Sequence, residues 1–244
     1  MIKTFIVYNE LETDRKLLVA NLKEYFLEHK VVEAIYPSQI HVPFLKSIQA
    51  ISQKRTGIAL NIAEIGCLLS HRYIWQQIIK ENDNEQQGYL IVESDAVVND
   101  IIQLNRQFEK MHQFYDLFFW GAFEGRIKLF RSSRKNIQTY EATNSSYAFG
   151  SPLINSLYCT YGYSLNKKAA AYLLSVTNKF KYPVDFWKKN LAQSNLKVGA
   201  ITPELISIHM GLLSNIQNTK VNGIKKWLLF FLIEFKNRII VYFK

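Results

Sequence analysis

The chain has 244 residues, 48% of them hydrophobic, with 10 glycines, 5 prolines and no low-complexity run, which is enough for one sizeable core and excludes a collagen-like or largely disordered chain. A formal charge of +10 favours anionic partners (nucleic acid, phosphorylated small molecules, an acidic membrane surface) without choosing among them. The two cysteines, Cys67 and Cys159, lie far apart and in no CxxC pair, which excludes a disulfide framework and fits a reducing compartment.

Read in chain order, "KTFIVYN" (3–9) predicts a buried strand. No apolar run of signal-peptide form precedes it, so no leader is expected. "TDRKLLVANLKEYFLEH" (13–29) predicts a helix, with Leu17, Leu18, Leu22 and Tyr25–Phe26 at helical spacing. "VVEAIYP" (31–37) predicts a strand ended by Pro37, and 38–60 reads as loop-rich. Asn61 and Glu64 form an N-x-x-E capping box in which each side chain satisfies an amide of the other. The helix it opens continues through "IAEIGCLLSHRYIWQQIIKEN".

A polar turn, "DNEQQG", leads into an apolar strand that begins at Tyr89, then a helix over 101–113. The strand "YDLFFWGAF" (115–123) follows, with a hairpin between "RIKLFR" and "SYAFG". "YCTYGYSL" (158–165) predicts a further strand and "NKKAAAYLLSVT" (166–177) a helix. Strands alternating with helices imply an α/β fold with crossover helices, and the β-rich middle makes the central sheet mixed. No linker composition divides the chain before about residue 217, so 1–216 is expected as one domain and 217–244 as a tail. Residues 221–244 set Trp227, Leu228, Phe231, Phe235, Ile239 and Tyr242 near helical spacing among Lys225, Lys226, Lys236, Arg238 and Lys244. Such a basic amphipathic helix either lies in the interface of an anionic membrane or packs on the parent domain. No run reaches the roughly 18–20 consecutive apolar residues of a membrane span.

"YLIVESDAVV" carries the chemistry. In an extended chain, side chains two apart share a face, so Glu93 and Asp95 converge while Ser94 points away. Paired carboxylates repel at a buried strand end, and a divalent cation removes the repulsion; their hard oxygens suit Mg²⁺ or Mn²⁺. Ligands of open α/β sheets bind beyond the carboxyl ends of the strands, where this pair lies. Alternatively the acids cap a helix or face water.

The segment "AEIGCLLSHRYIWQQI" (63–78), followed by an apolar strand and "ESDAVV", resembles glycosyltransferase family 25, the family of bacterial lipooligosaccharide galactosyltransferases and their collagen-modifying relatives. Glu64, Ile65, Gly66, Cys67, Leu69, Ser70, His71 and Trp75 match the family's "GEIGC-x-LSH-x-x-W" helix, and Glu93 and Asp95 match the outer acids of its "EDD". "FIVYNELETDR" is similar to the first strand of the family, with Asn9 and Arg15 in matching places. "YCTYGYSLNKKAAAYLL" resembles "GTHAYLIS-x-x-gA-x-x-LL", "YPVDFW" a "P-x-D-x-W" element that places Asp185, and "TPELISIHMGLLSNI" the closing segment. Three positions depart from the pattern: Ser94 for the middle acid, and Cys159 and Tyr161 for the glycine and histidine of "GTHAY".

The resemblance implies a GT-A-like, Rossmann-type fold and metal-dependent, inverting transfer of a sugar from a nucleotide-sugar donor, with UDP-galactose the family-level expectation. A lipooligosaccharide or other surface-glycan acceptor is implied, at the cytoplasmic face of a bacterial membrane that the tail and positive charge would hold. Glu93 and Asp95 are then the Mn²⁺ (or Mg²⁺) ligands, Asp185 the general base, and Asn9, Arg15, Glu64, Ser70, His71, Ser94 and Thr160 the nucleotide-sugar contacts. Several of these have structural alternatives: Asp185 as N-cap of "FWKKNLAQ", Glu64 as helix cap, His71 as a hydrogen-bonded neighbour of the site or a metal partner of Cys67 four residues before it, and Arg15 as a helix-start residue whose charge is mildly unfavourable there. His209 is a further candidate ligand. Two other classes stand beside the enzyme. One is a weakly active or inactive binding relative, suggested by the three departures. The other is a nucleic-acid-binding protein, suggested by charge and aromatics but without an RRM, zinc-finger or helix-turn-helix signature, so no nucleic acid is expected.

Overall fold

The computed structural model describes residues 1–122, 127–129, 140–142, 145–209 and 211–212. Its strands are β1 (Lys3–Tyr8), β2 (His29–Glu33), β3 (Tyr89–Glu93), β4 (Ala96–Val98), β5 (Leu117–Gly121), β6 (Tyr140–Ala142), β7 (Ser145–Gly150), β8 (Gly162–Leu165), β9 (Val198–Thr202) and β10 (Ile206–Ile208). Its helices are α1 (Lys16–Tyr25), α2 (Val42–Thr56), α3 (Ile62–Lys80), α4 (Ile101–Phe114), α5 (Lys167–Thr177) and α6 (Trp187–Asn190). Eight strands form one sheet in the order β2-β1-β3-β8-β5-β9-β7-β6, and β10 pairs with β4 in a separate ribbon. β1 runs parallel to β2 and β3, whereas β8 is antiparallel to both β3 and β5. The sheet is therefore mixed, as the β-rich middle of the sequence predicts.

Both faces of the sheet are covered, which is why its central strands read as continuous apolar runs rather than alternating ones. Tyr89, Leu90, Ile91 and Val92 are each at most 1% exposed, and each aliphatic one contributes about 1.5–3 kcal/mol relative to an exposed position. Period two sends Tyr89, Ile91, Phe119 and Tyr163 to one core with Leu68, Trp75 and Leu173 from α3 and α5. It sends Leu90, Val92, Phe118 and Trp120 to the opposite core with Leu22, Leu104 and Phe108 from α1 and α4.

Local expectations differ from the structure in a few places. Residues 42–56, expected as loop, form α2, which buries Leu45 and Ile48, starts with proline in its first turn and ends on Gly57 at φ 79°. Proline is pre-organised for a first helical turn, and glycine accepts the left-handed stop. The first helix is shorter than 13–29 because Thr13–Arg15 is a separate 3₁₀ turn, and the second strand ends at Glu33, well short of Pro37. Instead of a simple hairpin with 126–131, β7 pairs with β6 and β9, and Leu129 bridges to Pro152. β4, β9 and β10 were not expected. The expected C-terminal helix and the tail 217–244 lie outside the described residues. Among the described residues no helix is long and apolar enough to cross a membrane.

Candidate active site

A cavity of about 470 Å³ opens at the carboxyl ends of the parallel strands β2, β1 and β3. Val7 lies one residue before the end of β1, Ala34–Tyr36 follow β2, Glu93 ends β3 with Ser94 and Asp95 after it, and Ala63, Cys67 and Ser70 come from the start of α3. This is where open α/β sheets bind ligands: parallel strands end together while their connections part.

The acid motif sits between two pairing systems. Glu93 is the last residue of β3, and at Ala96 the chain enters the β4–β10 ribbon. The ribbon continues one step further as His209 N–H donates to the Asp95 carbonyl at 2.9 Å. Ser94 and Asp95 form a turn between the two, so the extended-chain geometry that predicts Ser94 pointing away does not hold. Extension stops at Glu93, and Glu93, Ser94 and Asp95 all line the same cavity.

Around Asp95 the charges are closely packed. Arg15, at the start of α1 and buried, places NH1 3.3 Å from Asp95 Oδ2 and 3.6 Å from Glu12 Oε1. The same NH1 donates to Ser94 Oγ at 3.0 Å, and Ser94 donates to Glu12 Oε2 at 2.8 Å. Asp95 Oδ1 is buried with no hydrogen-bond partner among the described residues. Burial, then the neighbouring Glu93 carboxylate, raises Asp95 to about 6 against the opposing pull of Arg15. Among the described residues Asp95 has Arg15 beside Oδ2 and no hydrogen-bond donor on Oδ1. A hard divalent cation fits these carboxylate oxygens, since it relieves the repulsion between Glu93 and Asp95 and supplies the partner that Oδ1 lacks among the described residues.

Around Glu93 every described hydrogen bond falls on one oxygen. Oε1 accepts from Thr160 Oγ1 at 2.5 Å, from His71 Nε2 at 3.2 Å and, weakly, from Cys67 Sγ at 3.9 Å. His71 is fully buried. Trp75 Nε1–H donates to the Tyr163 hydroxyl at 3.0 Å, and that hydroxyl lies 2.8 Å from His71 Nδ1. Neutral imidazole has one N–H. If Tyr163 gives its proton to Nδ1, Nε2 keeps the N–H that Glu93 requires, so the network assigns the tautomer. Burial alone would raise Glu93; His71, Thr160 and Arg15 outweigh it and hold the carboxyl below the usual range. Cys67 is pushed well up, first by burial and then by the Glu93 and Asp185 charges.

The remaining sequence candidates scatter around this centre. Ser70 lines the cavity, donating to Gly66 O and accepting from Ile35 N. Glu64 completes the capping box, accepting from Asn61 N at 2.8 Å. Asn9 braces its own loop, spending its amide on Ala34 O and Leu11 N, and it is not in the cavity lining. Asp185 is raised to about 6 by burial and then by Glu93. It is not an N-cap: the residue capping α6 is Phe186, which makes no side-chain cap hydrogen bond. The side chain of His209 is exposed and its Nδ1 accepts from Gly211 N. Tyr161 is fully buried and donates to Glu204 at 2.7 Å, so it is a core residue and offers nothing to a substrate in place of a histidine. Cys159 has φ 58°, a left-handed conformation that explains the glycine preference at this position.

Sequence reasoning missed Glu12, Tyr36 and Tyr163. Glu12 accepts from Tyr36 at 3.1 Å as well as from Ser94, and its isolated place in a polar loop gave no signal.

A family model described as glycosyltransferase family 25 (LPS biosynthesis protein) matches residues 1–187. No curated protein matches the chain. Among solved structures, the apo crystal structure of mouse xyloside xylosyltransferase 1 is similar at 14% identity and a TM-score of 0.36, covering 78% of this chain and 68% of that one.

Proposed function

The chain belongs to glycosyltransferase family 25, and from that premise we propose that it moves a sugar, galactose from UDP-galactose as the family-level choice, from a nucleotide donor to a surface-glycan acceptor by a metal-dependent, inverting reaction. The observation that carries this reading is the buried Asp95 Oδ1, which has no hydrogen-bond partner among the described residues, in the cavity that Glu93 also lines. Asp95 and Glu93 would hold Mn²⁺ or Mg²⁺, which when bound supplies Lewis-acid neutralisation of the departing diphosphate.

The chain's own residues do the rest. Arg15 adds a positive charge beside the same cavity, and exchanging its contact with Asp95 for a phosphate oxygen keeps it paired. His71 and Thr160 fix the Glu93 carboxylate by Oε1, so it meets a ligand without first losing side-chain freedom. Asp185 is suited to take the acceptor hydroxyl proton. With its carboxyl raised to about 6 it is ionised at neutral pH, yet it binds a proton far better than an ordinary aspartate. On this reading the protein works at the cytoplasmic face of the membrane, with the basic tail against anionic lipid.

The test is thermal stabilisation by a panel of nucleotide sugars with and without Mn²⁺, with transfer followed by product mass. UDP-sugars are expected to raise Tm only with the metal, and Asp95→Ala to abolish that metal-linked shift while the apo chain stays folded. Metal-independent shifts, or shifts unchanged in the variant, would remove the acid pair from the site.

A further inference from the structure

Glu93 belongs to a second donor set. Cys67 and His71 stand one helical turn apart on α3, and donor atoms of Cys67, His71 and Glu93 all lie within 4.8 Å of one another. Sγ is 3.9 Å and Nε2 3.2 Å from Glu93 Oε1. Tetrahedral zinc, with bonds of about 2.0–2.3 Å, sets neighbouring ligand atoms roughly 3.3–3.6 Å apart. The two separations from Glu93 Oε1 are therefore close to those such an ion sets, and the donor atoms of Cys67 and His71 lie no more than 4.8 Å apart.

We propose that Cys67, His71 and Glu93 form a site for a thiophilic divalent cation, Zn²⁺ by its donors, reached through the cavity. A thiolate, an imidazole and one carboxylate oxygen match zinc, whereas Mg²⁺ and Mn²⁺ avoid sulfur. Cys67 and Glu93 line the cavity, so the ion has an entry path and a fourth position open to water or a ligand, the pattern of non-structural zinc sites. The outer contacts are also in place. A ligating histidine normally donates its other ring N–H to a fixed acceptor, and Tyr163 Oη, itself held by Trp75, lies 2.8 Å from Nδ1.

The protons balance. The thiol loses one to solvent, and the imidazole stays neutral by exchanging its Nε2 proton for one on Nδ1, which then donates to the Tyr163 oxygen. That oxygen has lone pairs for both Trp75 and His71. One proton is released per ion bound. Binding does not depend on the sugar-transfer reading. Only its consequence does: an ion on Glu93 Oε1 draws the carboxylate toward Cys67 and lowers Mn²⁺-dependent transfer.

The experiment is a Co²⁺ titration of the full chain without substrate. A sulfur-to-cobalt charge-transfer band with tetrahedral visible bands is expected, and Zn²⁺ should displace it. Cys67→Ser should lose the sulfur band and Cys159→Ser should keep it. Tyr163→Phe should weaken binding about 10–100-fold. Absence of a sulfur band in the unaltered chain, or its survival in Cys67→Ser, overturns the site. If Cys67→Ser does not fold, alkylation of Cys67 in the unaltered chain, followed by peptide mass, reads the same contact. Zn²⁺ is expected to slow it, and equal rates with and without Zn²⁺ overturn the proposal. If Mn²⁺-dependent nucleotide binding fails while the cobalt band appears, the transferase reading alone falls.

Discussion

Adjacent residues of β8 build the same device on opposite faces of the sheet. Tyr163 joins the indole N–H of Trp75 to the ring of His71 at 3.0 and 2.8 Å. Ser164 joins the indole N–H of Trp120 to the ring of His112 at 2.8 and 2.7 Å. Both histidines are buried and both hydroxyls are fully buried. The difference lies at the far end. His71 continues to Glu93 and the cavity, while His112 ends in apolar core against Phe108, where a methyl on Gly88 would overlap its ring. A tryptophan–hydroxyl–histidine chain thus says nothing about function by itself; what terminates it decides.

The sharpest way to break the comparison is to neutralise the terminus. Glu93→Gln retains an oxygen to accept from His71 and Thr160, so the fold should persist. Its transfer rate should nevertheless fall on the order of 10²–10³-fold, the usual loss when one preorganised electrostatic contact is removed. His112→Gln at the other terminus should leave kcat within about twofold. Steady-state rates at saturating Mn²⁺ decide the matter, and equal losses in the two variants would erase the distinction.

The second difference is electrostatic. Burial lowers His112 to about 4 from its ordinary 6.5, so the folded state excludes the proton that the unfolded chain accepts. Stability is full above pH 6.5 and falls as pH drops from 6.5 through 4, by roughly 3 kcal/mol in all. Asp95 and Asp185, raised to about 6, act in the opposite sense: their penalty in the folded state is relieved as pH falls below 6. Urea unfolding of wild type and His112→Gln from pH 7.5 to 4 isolates the histidine. The wild type should lose stability relative to the variant across that window, and a constant gap contradicts the assignment.

Next in size is deletion of the bridging hydroxyls. Tyr163→Phe and Ser164→Ala each strand an indole N–H in the core and should cost about 1–3 kcal/mol by denaturant unfolding. Only Tyr163→Phe should also disturb the site, because it frees His71 to turn and so loosens Glu93; metal affinity should fall about 10–100-fold. Matched stability losses with matched metal affinities would mean that the Tyr163 chain stops at His71.

How legible this was follows the sequence separation of the contacts. The Asn61–Glu64 capping box, the apolar run of β3 and the helix over 166–177 are local, and the structure reproduces them. α2 was missed because it exposes most of its length, and its periodicity is correspondingly faint. β4 and β10 have three residues each and acquire their identity from one another across the chain. Glu93 and Asp95 are picked out by their place at the end of a buried strand, and both line the cavity. Arg15–Ser94 and His71–Tyr163 are 79 and 92 residues apart, a pairing that no local pattern encodes. The same limit hid Glu12, whose partners arrive only when β1 and β3 lie side by side.

The smallest expected effect concerns how Thr160 reaches Glu93. Among the described residues Cys159 and Phe180 are the non-glycine positions with positive φ. Cys159 is the residue before Thr160, and its carbonyl accepts from Trp187 Nε1 at 2.9 Å. That turn sets Thr160 against the carboxylate; Ser164, inside the strand, needs no such backbone. A left-handed residue with a Cβ costs roughly 1–2 kcal/mol, while glycine loses about 0.5–1 kcal/mol more than alanine in backbone entropy on folding. Cys159→Gly should therefore be more stable than Cys159→Ala by about 1 kcal/mol, with activity at least equal to wild type. The pair is informative because both variants remove the same sulfur, so only the backbone differs between them. If alanine proved the more stable, the turn would not be strained, and the position of Thr160 would have to be explained by side-chain packing alone.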